Sequence, residues 1–306
     1  MIRVLVTGAH GQVGADVAEL LAGRAEVIAC DRAALDLSDP AAIAERVRAA
    51  RPALIVNAGA YTAVDRAESE PTLAHAVNAV APGILAAEAK RAGALLVHYS
   101  TDYVFDGAKP EPYVEDDPTA PLGAYGRTKL EGERAVAASG CEHLILRTSW
   151  VYAPRGRNFL LTMLRLAAER EELRVVDDQR GAPTPSRELA RATLAIVGGA
   201  DAARALTQEG LARAAAKGGL YHATSAGSTT WFGFAQAIFA ARAKRAGPSF
   251  KAPRVVPIAT REYPTPARRP ANSVLSNARL HATFGVALAD WRAGLDEAIA
   301  ALPAPR

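Results

Sequence analysis

Tyr125 and Lys129 stand four residues apart in Tyr125-Gly126-Arg127-Thr128-Lys129. Near the start of a predicted helix, that spacing turns both side chains to one face. A phenol beside an ammonium is the equipment of a proton donor. A free tyrosine titrates near pH 10, so it must be acidified by about 3 units to exchange protons near neutrality, roughly 4 kcal/mol of preferential phenolate stabilisation. A neighbouring positive charge supplies such stabilisation. Upstream, Ser100-Thr101-Asp102 sets two hydroxyls at the end of an apolar run. A hydroxyl at the carboxyl end of a parallel strand suits a hydrogen bond to a substrate carbonyl, or a share in the tyrosine's proton. A plain strand-end cap is the bland alternative.

A tyrosine–lysine spacing alone is common by chance, and a second motif gives it weight. The first apolar run leads into Gly8-Ala9-His10-Gly11-Gln12-Val13-Gly14 and then into an apolar-periodic helix. Gly8, Gly11 and Gly14 permit a tight turn, close approach of backbone to a pyrophosphate, and close packing of helix on strand. The helix N-terminus offers free N–H groups and a positive dipole end to phosphate. The spacing is GxxGxxG rather than GxGxxG. Asp31 ends the second apolar run, placed to accept hydrogen bonds from adenosine ribose hydroxyls, which favours NAD. Its neighbour Arg32 suits the 2′-phosphate of NADP, so the pair leaves NADH and NADPH both open. Phosphate turn, hydroxyl-bearing strand end and tyrosine–lysine pair together indicate a nicotinamide-dependent reductase.

The elements that must position these groups are legible in the first half. Runs at 4–7, 27–30, 54–57, 95–100 and 143–148 are short and rich in Val, Leu and Ile, as buried strands are. Between them lie predicted helices at 12–22, 40–51, 71–92 and 125–138. Asp39 caps the second of these and Pro40 suits its first position. Continuous apolar strands alternating with helices predict an α/β fold, a Rossmann-type doubly wound parallel sheet covered on both faces. After Trp150 the segments shorten and Pro and Gly become frequent, which predicts a smaller C-terminal α/β substrate domain. The expected division is 1–149 plus about 186–218 for the dinucleotide-binding domain, with about 150–185 and 219–306 mostly substrate-binding. A helix at 187–197 returns to the sheet, and 198–219 reads as a surface insertion.

Composition narrows the classes. The 306 residues are half hydrophobic and carry a formal charge of +4, with arginines spread along helices rather than gathered in blocks. That distribution does not favour nucleic acid. Cys30 and Cys141 are the only cysteines, so no disulfide framework or thiolate metal cluster is expected. No apolar stretch reaches membrane-spanning length and the N-terminus lacks a signal-peptide build, so the expectation is a cytoplasmic chain with no membrane partner.

Several stretches carry a resemblance that covers nearly the whole chain. They are Gly11-Gln12-Val13-Gly14, Asn57-Ala58-Gly59-Ala60-Tyr61-Thr62-Ala63-Val64-Asp65 and Ser100-Thr101-Asp102-Tyr103-Val104-Phe105. They continue in Thr148-Ser149-Trp150-Val151-Tyr152, Asp178-Gln179-Arg180-Gly181-Ala182-Pro183-Thr184 and Tyr263-Pro264-Thr265-Pro266-Ala267-Arg268-Arg269-Pro270. The chain resembles the extended short-chain dehydrogenase/reductase superfamily and, within it, the dTDP-4-dehydrorhamnose reductase family. The resemblance implies reduction of the C4 keto group of a dTDP-linked 4-keto-6-deoxy sugar by NADPH or NADH. It implies that Gly11, Gln12 and Val13 line the pyrophosphate, Asp31 holds the ribose, and Asp36 and Leu37 lie near the adenine. Ala58, Ala60, Tyr61 and Thr62 run along the cofactor. Thr101, Tyr125 and Lys129 form the catalytic set, Lys129 also bonding the nicotinamide ribose. Asp102 and Trp150 touch the sugar nucleotide, and Arg268 and Arg269 suit its pyrophosphate or the loop over it.

Tyr61 departs from the family, in which histidine is common at that position; a backbone-built wall tolerates the change. Some members form a metal-bridged dimer through acidic residues. Here Asp16 matches one acid, but Arg187 stands where another is expected, so the sequence disfavours magnesium, and monomer and homodimer both stay open. Rival activities are weighed by single residues. Related dehydratases carry an Asp-Glu pair after the threonine, whereas Tyr103 follows Asp102 here. Another nucleotide-sugar epimerase or reductase remains an alternative. So does a non-catalytic regulatory subunit resembling that of methionine adenosyltransferase, which needs no working tyrosine.

Overall fold

In the computed structural model, which describes residues 1–199, 205–247 and 250–302, the first half alternates strand and helix. Its elements are β1 (Arg3–Thr7), α1 (Gln12–Leu21), β2 (Glu26–Cys30), α2 (Pro40–Ala50), β3 (Leu54–Asn57), α3 (Val64–Ala67) and α4 (Pro71–His75). They continue with α5 (Ala81–Ala92), β4 (Leu95–Thr101), α6 (Ala124–Ser139) and β5 (His143–Thr148). Asp39 caps α2, accepting from the Ala41 and Ala42 N–H groups at 2.9 and 3.1 Å. β3 and β4 are buried throughout, as a strand covered on both faces must be.

One helix was expected over 71–92. Instead a π-helical turn, Ala76–Val80, separates α4 from α5. Pro82 has no N–H to donate to the Asn78 carbonyl, and the extra residue of the π turn absorbs that missing bond.

Six strands form one parallel sheet in the order β10-β5-β4-β3-β1-β2. The chain passes from β1 to β2, then crosses back over β1 to β3. Strand order reverses there, and the crevice beyond the carboxyl ends of β1 and β3 is where such a sheet takes a ligand. Val4, Val6, Val17, Leu54 and Leu189 pack on one face of the sheet, and Leu5, Ile43, Ile55, Leu85 and Leu96 on the other. Both cysteines are free and buried.

The second half contains β6 (Val151–Tyr152), α7 (Phe159–Glu169), β7 (Glu172–Val176), β8 (Arg180–Gly181), β9 (Thr184–Pro185) and α8 (Ser186–Gly198). After these come α9 (Gln208–Ala215), β10 (Gly219–His222), β11 (Thr229–Thr230), α10 (Trp231–Ala246), β12 (Arg254–Ile258), α11 (Ala278–Phe284) and α12 (Trp291–Ala300). A separate core of Tyr152, Leu160, Phe234, Ile238, Trp291 and Leu295 holds this half together. Three small sheets, β6 with β9, β8 with β11 and β7 with β12, complete it.

The expected boundary at 219 is corrected. β10 pairs with β5 as the sixth strand of the main sheet, and Leu280 of α11 joins the core beneath that sheet. The 198–219 segment is not a surface insertion where it is described. Leu206, Leu211 and Ala214 are buried against the core that α8 shares, so α9 is the crossover helix leading into β10. Its Ala- and Arg-rich composition hides a one-sided apolar stripe. Part of that expectation, residues 200–204, lies outside the described residues. Among the described residues, no helix is long and apolar enough to cross a membrane.

Candidate active site

The carboxyl ends of β1, β3, β4 and β5 open into a cleft of about 770 Å³. Gly8, Gly11, Gln12 and Val13 line it, with Asp31, Arg32, Asp36 and Leu37. So do Ala58, Ala60, Tyr61, Thr62, Thr101, Asp102, Tyr125, Lys129 and Trp150. Gly14, Arg268 and Arg269 do not. Gly14 sits behind the turn, where a Cβ would lie 2.2 Å from the Gly8 carbonyl oxygen. Its absent side chain lets α1 pack against the turn. Gly8 itself holds φ +64, a conformation few other residues adopt. Backbone N–H groups therefore front an open cradle at a helix start, a fit for a dinucleotide's phosphates.

The acids on the β2 side of the cleft are already hydrogen-bonded. The Asp31 carboxylate accepts from the Ala34 N–H at 2.8 Å and pairs with His10 at 3.0 Å. The Ala34 bond, more than His10, holds its pKa below the ordinary value. Asp36 is turned toward Ser38, accepting from its N–H and its hydroxyl at 2.8 and 2.7 Å. On the facing wall Asn78, buried in the π turn, grips the Tyr61 backbone from both sides. It accepts from the Tyr61 N–H at 2.8 Å and donates to the Tyr61 carbonyl at 3.0 Å. The Tyr61 phenol donates to Glu70 at 2.5 Å, so the backbone is what forms this wall.

At the centre, Tyr125 and Lys129 project from the first turns of α6. Burial pushes the Tyr125 phenol up to about 12, and hydrogen bonding with Thr101 opposes that rise. The Lys129 ammonium donates to the Tyr99 carbonyl at 2.7 Å and lies 3.4 Å from Nε2 of His98. Burial lowers Lys129 to about 8, and nearby Glu133 pulls the other way. In the chain by itself Lys129 is held along the β4 edge, and burial is the largest influence on the Tyr125 phenol.

His98 continues as a buried chain. Its Nδ1 lies 2.9 Å from the Asn57 amide, and Asn57 Oδ1 accepts from the Thr7 hydroxyl at 2.6 Å. These bonds link the ends of β4, β3 and β1 and fix Lys129 relative to the phosphate turn. Nothing local in the sequence announces His98 or Asn78, because their partners lie 31 and 17 residues away.

The opposite end is built from side chains. Trp150 adopts φ +48 and stacks on Trp231, with ring centroids 3.5 Å apart and planes 5° from parallel. A Cβ on Gly181 would meet the Trp150 indole at 2.4 Å, so this glycine seats the ring. A left-handed tryptophan costs on the order of 1–3 kcal/mol and marks a site that the surroundings over-determine. Asp102 is buried and accepts from the Thr101 hydroxyl at 2.9 Å, while its second oxygen has no partner among the described residues. Burial raises its carboxyl to about 7. Thr148 Oγ1, on the same cleft wall, is likewise unpartnered among those residues.

Arg269 pairs with Asp65 at 2.9 Å and bonds Thr265, and Arg268 is exposed; neither lines the cleft. Asp16 does not fit a metal. Ser186 donates to it at 2.5 Å, while Arg155 and Arg187 lie 2.5 and 3.5 Å from its carboxylate. Guanidinium groups occupy the place a cation would take. Among the described residues, no group of three or more His, Cys, Asp or Glu is arranged to hold a metal.

A doubly wound parallel sheet, a glycine turn at its first helix and a tyrosine–lysine pair in one cleft define the short-chain dehydrogenase/reductase class. Residues 2–303 match the family model described as RmlD substrate binding domain, and the chain belongs to that family. It is 53% identical over 294 residues to a dTDP-4-dehydrorhamnose reductase of Burkholderia thailandensis, covering 95% of this chain and 96% of that one. A solved dTDP-4-dehydrorhamnose reductase of Clostridium acetobutylicum superposes with TM-score 0.87 at 38% identity, covering 98% of this chain and 99% of that one. The Bacillus anthracis enzyme of the same name, solved in complex with NADP, gives TM-score 0.86 at 34% identity, with 98% and 99% covered.

Proposed function

We propose that this chain reduces the C4 keto group of dTDP-4-dehydro-L-rhamnose to give dTDP-L-rhamnose, using NADPH or NADH. The observation that carries the reading is the convergence of the phosphate turn, Tyr125 and Lys129 on one cleft, in a chain of this family. The bound dinucleotide supplies the hydride. Tyr125 donates its Oη proton to the alkoxide that forms at C4, and the Thr101 hydroxyl, turning its one proton from Asp102, steadies the phenolate left behind. Lys129 remains protonated at neutral pH and adds the positive charge that favours that phenolate. Asp102 and Trp150 hold the sugar nucleotide. Its hydroxyls are the partners that suit the unpaired Asp102 and Thr148 oxygens.

Purified chain incubated with dTDP-4-dehydro-L-rhamnose and NADPH should consume one equivalent of cofactor per equivalent of dTDP-L-rhamnose. Product formed without net cofactor consumption would point instead to an epimerase that recycles its nicotinamide. Cofactor binding without turnover would point to a regulatory subunit.

A further inference from the structure

The segment between β6 and α7 crosses above the start of α1, fastened on either side of Gly156 and Arg157. Upstream, the Arg155 guanidinium pairs with Asp16 of α1 at 2.5 Å. Downstream, Asn158 donates to the Gln12 side chain at 2.8 Å and to the Ala153 carbonyl at 2.9 Å. Gly156 takes φ +76, and a Cβ there would lie 3.6 Å from Gln12 Cγ, so the backbone runs close over the phosphate turn. Arg155 and Asn158 are thus consumed by the anchoring of this strap. Arg157 is not: it is exposed, lines the cleft with Gly11, Gln12 and Val13, and makes no hydrogen bond or ion pair with any described residue.

We propose that Arg157 is a diphosphate-binding residue that closes the phosphate turn from the substrate-side strap and grips the pyrophosphate of the nicotinamide dinucleotide. The turn meets the diphosphate with backbone N–H groups and a helix end, which carry only partial charge. A guanidinium from the opposite side adds a full charge and a planar fork that matches two phosphate oxygens. Arg32, the other exposed arginine of the cleft, follows Asp31 at the end of β2, away from the strap, which assigns the two arginines to different phosphates. This inference rests on the nicotinamide-dependent reading above, and direct binding measurements separate its failure from the failure of that reading.

The test is titration calorimetry of the purified full chain and Arg157→Ala with NADPH, NADH and dTDP, at low and high salt. Removing an exposed charge-assisted phosphate contact should weaken both dinucleotides alike, by roughly 5- to 20-fold, with the gap narrowing at high salt. Arg157→Lys should recover part of the loss, and dTDP should bind both proteins equally. Loss confined to NADPH would move Arg157 to the 2′-phosphate, and loss confined to dTDP would move it to the sugar nucleotide; either overturns the proposal. Unchanged affinity for all three ligands would make it a plain surface side chain. A wild-type chain that binds both dinucleotides but reduces no keto sugar would overturn the reductase reading and leave Arg157 to be judged by these affinities.

Discussion

The two ends of the cleft are built from different materials. The end proposed for the cofactor is backbone: a glycine turn, a helix start, and a wall at Ala58–Thr62 whose Tyr61 amide and carbonyl are both held by Asn78. The end proposed for the substrate is side chain on side chain, with Trp150 seated between Gly181 and Trp231 and Asp102 buried beside Thr101. A backbone site comes from a contiguous run, tolerates exchanges such as tyrosine at 61, and fails through steric intrusion. A side-chain site draws on residues far apart in the chain and fails one group at a time. The comparison teaches where each end is vulnerable.

The largest expected break is at the backbone end. Gly14→Ala places its Cβ against the Gly8 carbonyl, and the clash should cost on the order of 1–3 kcal/mol of stability while displacing the turn. Calorimetry with NADPH should show affinity falling by about 10-fold for each 1.4 kcal/mol of distortion carried into the turn, alongside a lower melting temperature. Wild-type cofactor affinity in Gly14→Ala would mean that the turn does not depend on that close packing.

Trp150→Ala probes the other end. It should raise KM for the sugar nucleotide by roughly 10- to 100-fold, the scale of a lost aromatic contact of about 1.5–3 kcal/mol, and leave cofactor affinity unaltered. Equal damage to both ligands would dissolve the distinction between the two ends.

A third effect, confined to a pH window, concerns Asp102. Its folded pKa of about 7 lies above the ordinary 3.8, so between those values the native chain keeps a proton that the unfolded chain releases. Stability then falls as pH rises through that window, and the cost of the buried charge is fully present above it. Asp102→Asn removes the titration. Its stability relative to wild type should improve by roughly 2–3 kcal/mol between pH 5 and pH 8, followed by chemical denaturation. A pH-independent difference would show that Asp102 stays ionised throughout.

The same contrast explains what could be read in advance. The parallel sheet was legible because each buried strand is a short Val-, Leu- and Ile-rich run. The glycine turn was legible because its function is written in consecutive residues. Tyr125 and Lys129 were legible because helical spacing joins them. His98, Trp231 and Arg157 were not, since each acquires its setting from residues tens or more positions away. The boundary at 219 failed for a related reason: a four-residue edge strand, Gly219–His222, leaves too short an apolar signature to be separated from its neighbours. Arg269 shows the same long-range dependence, since its acidic partner Asp65 lies far back in the chain.

All of this converges on the phenol where the two ends meet. The decisive measurement is turnover of Tyr125→Phe alongside its NADPH dissociation constant. Loss of kcat by roughly 10²- to 10⁴-fold with cofactor affinity intact is the predicted result. Undiminished kcat in that variant would contradict the assignment of Tyr125 as the proton donor.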